Sequence, residues 1–223
     1  MKRFWIVVLL LVALLVGSIV FDVLSSPKHE TLAVQNTVSD LYAYQLSCTV
    51  RIHSNGGWGS GVWVTPNIIL TAKHVVDTGT EFEIELYNGR KVPATQVVLD
   101  ADDDLALVFV NYTSKYFATL GSKPLVGQEV TMVGTPLDDM CGFNLTKGHI
   151  SALIRDEIEE YEVYGTPHFI VDCFGAPGNS GGPVFRDKEV IGLCIWGMAS
   201  NGQSMVLIAD VTHLDKCLAS VLK

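Results

Sequence analysis

Short stretches of alternating apolar and polar residues, separated by glycine- and asparagine-rich turns, run from Cys48 almost to the end of the chain. The clearest is Glu81–Tyr87, where Phe82, Ile84 and Leu86 alternate with Glu81, Glu83 and Glu85. That period of two predicts a strand with one buried face. Asn55-Gly56-Gly57 and Asn88-Gly89 read as hairpin turns. The same pattern predicts strands over Cys48–Ile52, Ser60–Thr65, Ile68–Thr71, Lys91–Leu99 and Leu105–Val110. A looser connection, Thr113–Lys123, precedes a second set: Glu129–Gly134, Leu145–Leu153, Thr166–Asp172, Gly182–Arg186, Glu189–Gly197 and Ser204–Asp210. Val211, Leu214, Leu218 and Leu222 then recur at helical spacing. Six strands, a connection, six strands and a terminal helix imply an all-β fold of two packed antiparallel six-stranded β-barrels.

The N-terminus follows a different pattern. Lys2 and Arg3 precede an unbroken apolar run, Phe4–Phe21, closed by Asp22. At helical rise this run spans about 27 Å, close to a hydrocarbon core. It exceeds the ~7–15 apolar residues of a cleaved signal peptide, and no small-x-small site follows it cleanly. An uncleaved signal anchor over 1–21 is therefore expected, with everything after Asp22 outside the cytoplasm. If the segment is cut, the protein is secreted. Residues 22–45 read as a tether, with a short helix over Val38–Leu46. The two barrels follow at 46–118 and 119–223.

Charge narrows the partners. The chain carries 15 Lys and Arg against 24 Asp and Glu, a net −9 that becomes −11 once Lys2 and Arg3 are set aside. No basic stripe interrupts it, so nucleic acid is not an expected partner. Cys48, Cys141, Cys173, Cys194 and Cys217 contain no C-x-x-C pair, which argues against a zinc ribbon or a redox dithiol. Their odd number leaves at least one thiol free, and several suit the role of small buried apolar residues. His29, His53, His149, His168 and His213 have no mutual ligand spacing and read as structural or surface residues. Neither a metal nor an organic cofactor is expected.

Three segments carry chemistry. Gly178-Asn179-Ser180-Gly181-Gly182-Pro183 places a serine on a turn whose glycines permit tight backbone and exposed N–H groups. Thr71-Ala72-Lys73-His74-Val75-Val76 follows an apolar strand and supplies an imidazole able to take and return a proton. Asp102-Asp103-Asp104-Leu105-Ala106-Leu107 sets a carboxylate before a buried strand. Taken singly, each also suits a glycine-rich hairpin, a strand-end histidine or a solvated acidic turn.

The order His, Asp, Ser with these flanks resembles the chymotrypsin-like serine proteases, and more closely their HtrA (Deg) branch. The likeness extends over about Leu41–Leu218. It includes Gly59-Ser60-Gly61-Val62-Trp63-Val64, the span from Val126-Gly127-Gln128-Glu129-Val130 to Val133-Gly134-Thr135-Pro136, and Thr146–Leu153. The resemblance implies His74 as base, Asp104 as its orienting acid and Ser180 as nucleophile. Gly178 and Ser180 would supply the oxyanion-hole N–H groups, with the cleft between the barrels. Asn179 stands where digestive relatives carry an aspartate that pairs with a freed N-terminus, so that activation route is not expected. Nor is control by a PDZ domain in cis, since the sequence stops before one. Phe174 falls where trypsin-type enzymes place an acidic residue, and Ile195-Trp196-Gly197 resembles the opposite pocket wall. Together they imply small or medium apolar residues before the scissile bond. The expected protein is a serine endopeptidase acting on exposed or unfolded polypeptides. The alternatives are a non-catalytic polypeptide-binding module on the same fold, or a processing protease with one target. Trimers are common among HtrA relatives, but no residue here fixes a homo-oligomer.

Overall fold

The computed structural model describes residues 28–55, 57–137, 140–154, 167–200, 203–212 and 214. The chain divides into a unit ending at Asp40 and a second from Leu41 onward. Helix α1 (Lys28–Cys48) runs through the boundary. It starts ten residues earlier than Val38, within the stretch expected to be a tether. Lys28–Val38 contains Leu, Ala, Glu and Gln but neither Gly nor Pro, and so favours a helix. The last turns of α1 belong to the second unit. Tyr44, Leu46 and Cys48 join its apolar core, and the Tyr44 hydroxyl donates to the Phe117 carbonyl at 2.8 Å.

The first barrel closes in the order β1-β2-β3-β6-β5-β4. Its strands are β1 (Thr49–Ser54), β2 (Gly57–Thr65), β3 (Ile68–Thr71), β4 (Glu83–Leu86), β5 (Lys91–Leu99) and β6 (Ala106–Val110). Val50, Ile52, Trp63, Ile69, Ile84 and Val108 fill its interior. Val62 and Leu70, on the opposite faces of β2 and β3, instead join a core shared with the second barrel. Strands covered on both faces read as continuous apolar runs, which is why Ile68-Ile69-Leu70 lacks the alternation of Glu83-Ile84-Glu85-Leu86.

The second barrel contains β8 (Glu129–Gly134), β9 (Asn144–Ile154), β10 (His168–Val171), β11 (Pro183–Arg186), β12 (Glu189–Ser200) and β13 (Gln203–Asp210). They follow the order β11-β8-β9-β10-β13-β12, and β11–β12 pairing closes the ring. Val130, Ile150, Phe169, Val171, Ile191 and Ile208 form its interior. The two antiparallel six-stranded barrels are therefore present as expected from sequence. The connection adds a short strand, β7 (Thr119–Leu120), which pairs in parallel with Glu189 and Val190 of β12. Cys48, Val62, Leu70, Leu105, Val133, Phe185, Leu193 and Ala209 form the core between the barrels. Burying each large side chain there contributes roughly 1.5–3 kcal/mol.

Among the described residues no helix is long and apolar enough to cross a membrane. The apolar run 4–21 lies outside them. So does most of the expected terminal helix, of which Val211 and Leu214 are seen buried against the shared core.

Candidate active site

The site lies along the cleft at the seam. β3 ends at Thr71, whose hydroxyl donates to the Ser60 carbonyl at 2.7 Å. Ala72 is extended (φ −74°, ψ 142°) and opens a single helical turn, α2 (Lys73–Val76), which carries His74. Asp104, just before the buried Leu105, grips this turn with both carboxylate oxygens. Oδ1 accepts the His74 backbone N–H at 3.0 Å, and Oδ2 lies 2.7 Å from Nδ1. The Asp104 carbonyl also accepts the Lys73 N–H at 3.2 Å. The carboxylate holds the proton on Nδ1 and leaves Nε2 as the free base. Its hydrogen bond raises the His74 pKa above the usual imidazole value, outweighing the lowering by burial; the charges of Asp104 and Asp77 add to the rise. Asp102 and Asp103, by contrast, turn their backbone N–H groups to Asp100 Oδ1, both at 2.9 Å. Of the three consecutive aspartates, Asp104 is the one bonded to the imidazole.

Ser180 lies across the seam and lines the same cleft as His74 and Asp104. The Ser180 carbonyl accepts the Ser60 N–H at 2.7 Å, tying the serine turn of the second barrel to β2 of the first. The turn before it is built on Ala176-Pro177-Gly178-Asn179. The Asn179 N–H reaches the Ala176 carbonyl at 3.0 Å, and Gly178 has φ +97°. This is a type II turn, with proline and glycine at the positions that demand them. A side-chain carbon on Gly178 would run into the Thr135 carbonyl and the Trp58 indole.

Two bonds orient that turn. The Pro177 carbonyl accepts the Leu137 N–H at 3.0 Å. Because the peptide is trans, the Gly178 N–H points the opposite way. The Gly178 carbonyl accepts the Ser60 hydroxyl at 2.7 Å. The Ser60 oxygen in turn accepts the Thr135 N–H at 2.9 Å and lies 3.0 Å from the Thr135 hydroxyl. Ser60 and Thr135 are both fully buried. The sequence alone does not single out either, because a hydroxyl in or just after a strand looks like an ordinary β residue. Leu137 gave no signal either; its φ of +57° depends on tertiary contacts.

The remaining candidates divide. Ile195, Trp196 and Gly197 line the cleft with Gly175, Ala176, Pro177, Cys194 and Leu207. Phe174, read as the pocket base, is not among the lining residues and is 48% exposed. The neighbouring Gly175 N–H is bound by Ser204 Oγ at 3.0 Å, and the Phe174 carbonyl accepts the Asn179 amide at 3.2 Å. The backbone of this segment thus faces the turn, and Phe174 itself is half-exposed. Gly175 and Gly197 pack against each other. A side-chain carbon on either would lie 3.5 Å from the other's Cα. Among the histidines, His53 pairs with Glu85 at 2.7 Å and His149 lies 3.7 Å from Asp172. His168, expected to be structural, lines the cleft.

Comparisons with known proteins agree with this architecture. A family model described as "Trypsin-like peptidase domain" matches residues 59–193, more than half of the chain. The chain is 37% identical over 139 residues to a probable periplasmic serine endoprotease DegP-like of Halomonas elongata, covering 60% of this chain and 28% of that one. It is 34% identical over 132 residues to the serine protease Do-like HtrB of Bacillus subtilis, covering 56% and 29%. The chain thus spans under a third of the length of these relatives. Among solved structures, the HtrA-type protease AlgW with a tripeptide superposes with a TM-score of 0.70 at 23% identity, covering 82% of this chain and 64% of that one. The Rv3671c protease from M. tuberculosis in its active form gives 0.69 at 20%, covering 80% and 82%. These two establish the fold.

Proposed function

The chain belongs to the trypsin-like peptidase domain family, and from that premise we propose that it is an HtrA-like serine endopeptidase. One observation carries the proposal: His74 is fixed by both oxygens of Asp104 and faces the same cleft as Ser180. His74 Nε2 takes the Ser180 proton as Oγ attacks the scissile carbonyl, and Asp104 stabilises the imidazolium. The N–H groups of Gly178 and Ser180 receive the developing oxyanion. The Pro177–Leu137 bond supports this role, since it turns the Gly178 N–H away from Leu137. His74 then protonates the leaving amine, the acyl-enzyme forms on Ser180, and water activated by His74 releases the second product.

Substrates are polypeptides, as the tripeptide bound to the related AlgW suggests. The closeness of Gly175 and Gly197 favours a small apolar residue before the scissile bond, with Ile195-Trp196-Gly197 alongside the substrate backbone. The catalytic part works outside the cytoplasm, in line with the periplasmic relatives, and residues 4–21 anchor it to the membrane. Treatment with a fluorophosphonate probe tests the nucleophile. The wild type should be labelled at Ser180 and both Ser180→Ala and His74→Ala should not; equal labelling of all three would refute it.

A further inference from the structure

Three consecutive residues of β2 hold the serine turn from the opposite barrel. Ser60 binds the Ser180 carbonyl through its N–H and the Gly178 carbonyl through its hydroxyl. Gly59 leaves room for Val75 of the α2 turn and for the Ser180 carbonyl, both of which a side-chain carbon there would meet. Trp58, the first of the three, stands outside the motif that begins at Gly59. Strand pairing with His53 of β1 fixes its backbone. Its partly buried indole lies against the α-carbon of Gly178 and donates the Nε1–H to the Thr135 carbonyl at 2.9 Å.

The indole bond acts beyond Thr135 itself. Thr135 is fully buried, and β2 grips it on both sides: Ser60 Oγ accepts its N–H at 2.9 Å, and Trp58 holds its carbonyl. Pro136 follows, its φ restricted by the ring, and then Leu137, whose N–H binds the Pro177 carbonyl at 3.0 Å. Thr135–Leu137 is thus a short strut from a first-barrel indole to the peptide that presents the Gly178 N–H. We propose that Trp58 is a positioning residue for this N–H, holding it towards the cleft through the Thr135 carbonyl and the strut. This role rests on the peptidase function above. It needs the indole N–H and not merely an aromatic ring. A buried carbonyl deprived of its donor favours any backbone rotation that finds it another, and such a rotation loosens the Leu137–Pro177 bond.

The test replaces Trp58 by phenylalanine and, in a second protein, by benzothienylalanine, which exchanges only the indole N–H for sulfur. Deleting an oxyanion donor costs about 100- to 1000-fold in kcat. Here the donor is displaced and not removed, so kcat on a fluorogenic peptide should fall about tenfold with KM unchanged. Affinity for a peptide boronate, whose tetrahedral adduct on Ser180 uses the same N–H, should fall by the same factor. A merely structural role would lower Tm without that matched drop. Unchanged kcat, or unchanged boronate affinity, in either folded variant overturns the role of Trp58 and leaves the peptidase intact. If the wild type neither cleaves the peptide nor takes up the boronate, the peptidase function fails, and hydrogen exchange at the Leu137 amide decides the role of Trp58. Exchange there should be about tenfold faster in both variants, with the Leu86 amide, bound to the Arg90 carbonyl in the first barrel, unchanged. Equal protection of Leu137 in wild type and variants overturns it.

Discussion

Replacing Ser60 by alanine tests how the serine turn is held. The Ser60 hydroxyl donates to the Gly178 carbonyl at 2.7 Å and accepts the Thr135 N–H at 2.9 Å, at a fully buried site. Alanine fits the space but leaves the Thr135 N–H without its acceptor. The Gly178 carbonyl keeps only the longer contact from the Thr135 hydroxyl, at 3.4 Å. A buried polar group that loses its partner costs about 1–3 kcal/mol. With one group orphaned and the other weakened, a stability loss of about 2–4 kcal/mol is expected. For a chain of this size that corresponds to a Tm roughly 4–16 °C lower. The Gly178 peptide also loses the bond that fixes its orientation, so kcat should fall about 10- to 100-fold with little change in KM. Urea unfolding followed by tryptophan fluorescence gives the first number, and steady-state cleavage of a fluorogenic peptide at a temperature where the variant is folded gives the second. A variant less than 0.5 kcal/mol destabilised, or one destabilised but with unchanged kcat, would refute the reasoning.

Further outcomes follow from the same geometry. Asp104 raises the His74 pKa and activity needs the neutral imidazole, so the acid limb of the kcat/KM profile should sit above the usual imidazole value near 6.5. Asp104→Asn should move that limb to lower pH while lowering the plateau about 10³–10⁴-fold. The stabilising His74–Asp104 ion pair is complete below the unfolded imidazole pKa and is lost as pH rises through the raised folded value. Gly178→Ala forces a side chain into a backbone at φ +97° and against Thr135 and Trp58, so turnover should drop at least 100-fold, checked by single-turnover cleavage. Burial pushes the thiols of Cys48 and Cys194 up to about 12 and that of Cys173 to about 11. At pH 8 iodoacetamide should therefore modify the exposed Cys141 and spare these three until the protein unfolds, as peptide mapping would show.

Much of the architecture was legible because each barrel strand has at least one apolar face and ends at a turn. Ile68–Thr71, Lys91–Leu99 and Glu129–Gly134 begin and end where the pattern places them. β7 was not legible, because two residues in a loop become a strand only by pairing with Glu189 and Val190, far away in sequence. The early start of α1 was hidden by a mixed composition that serves a tether and a helix equally well. At the site, His74, Asp104 and Ser180 stood out through their flanking motifs. The groups that orient them did not. Ser60 and Thr135 act through backbone atoms of Gly178, and such contacts leave no pattern in a single sequence. The Thr135–Asn144 segment gave no sign that Leu137 would meet Pro177. Position relative to the motif singled out Phe174, but gave no sign of the Ser204–Gly175 and Asn179–Phe174 bonds that hold the backbone of its segment. His168 looked ordinary because its neighbours in space, the Asp102–Asp104 turn, lie in the other barrel.

The most direct measurement is cleavage of an unfolded protein by the full chain in detergent, beside its Ser180→Ala variant, with the products identified by mass spectrometry. Internal cuts that require Ser180 and follow small apolar residues are the predicted result. Absence of cuts by the wild type, or the same cuts from both proteins, would contradict it.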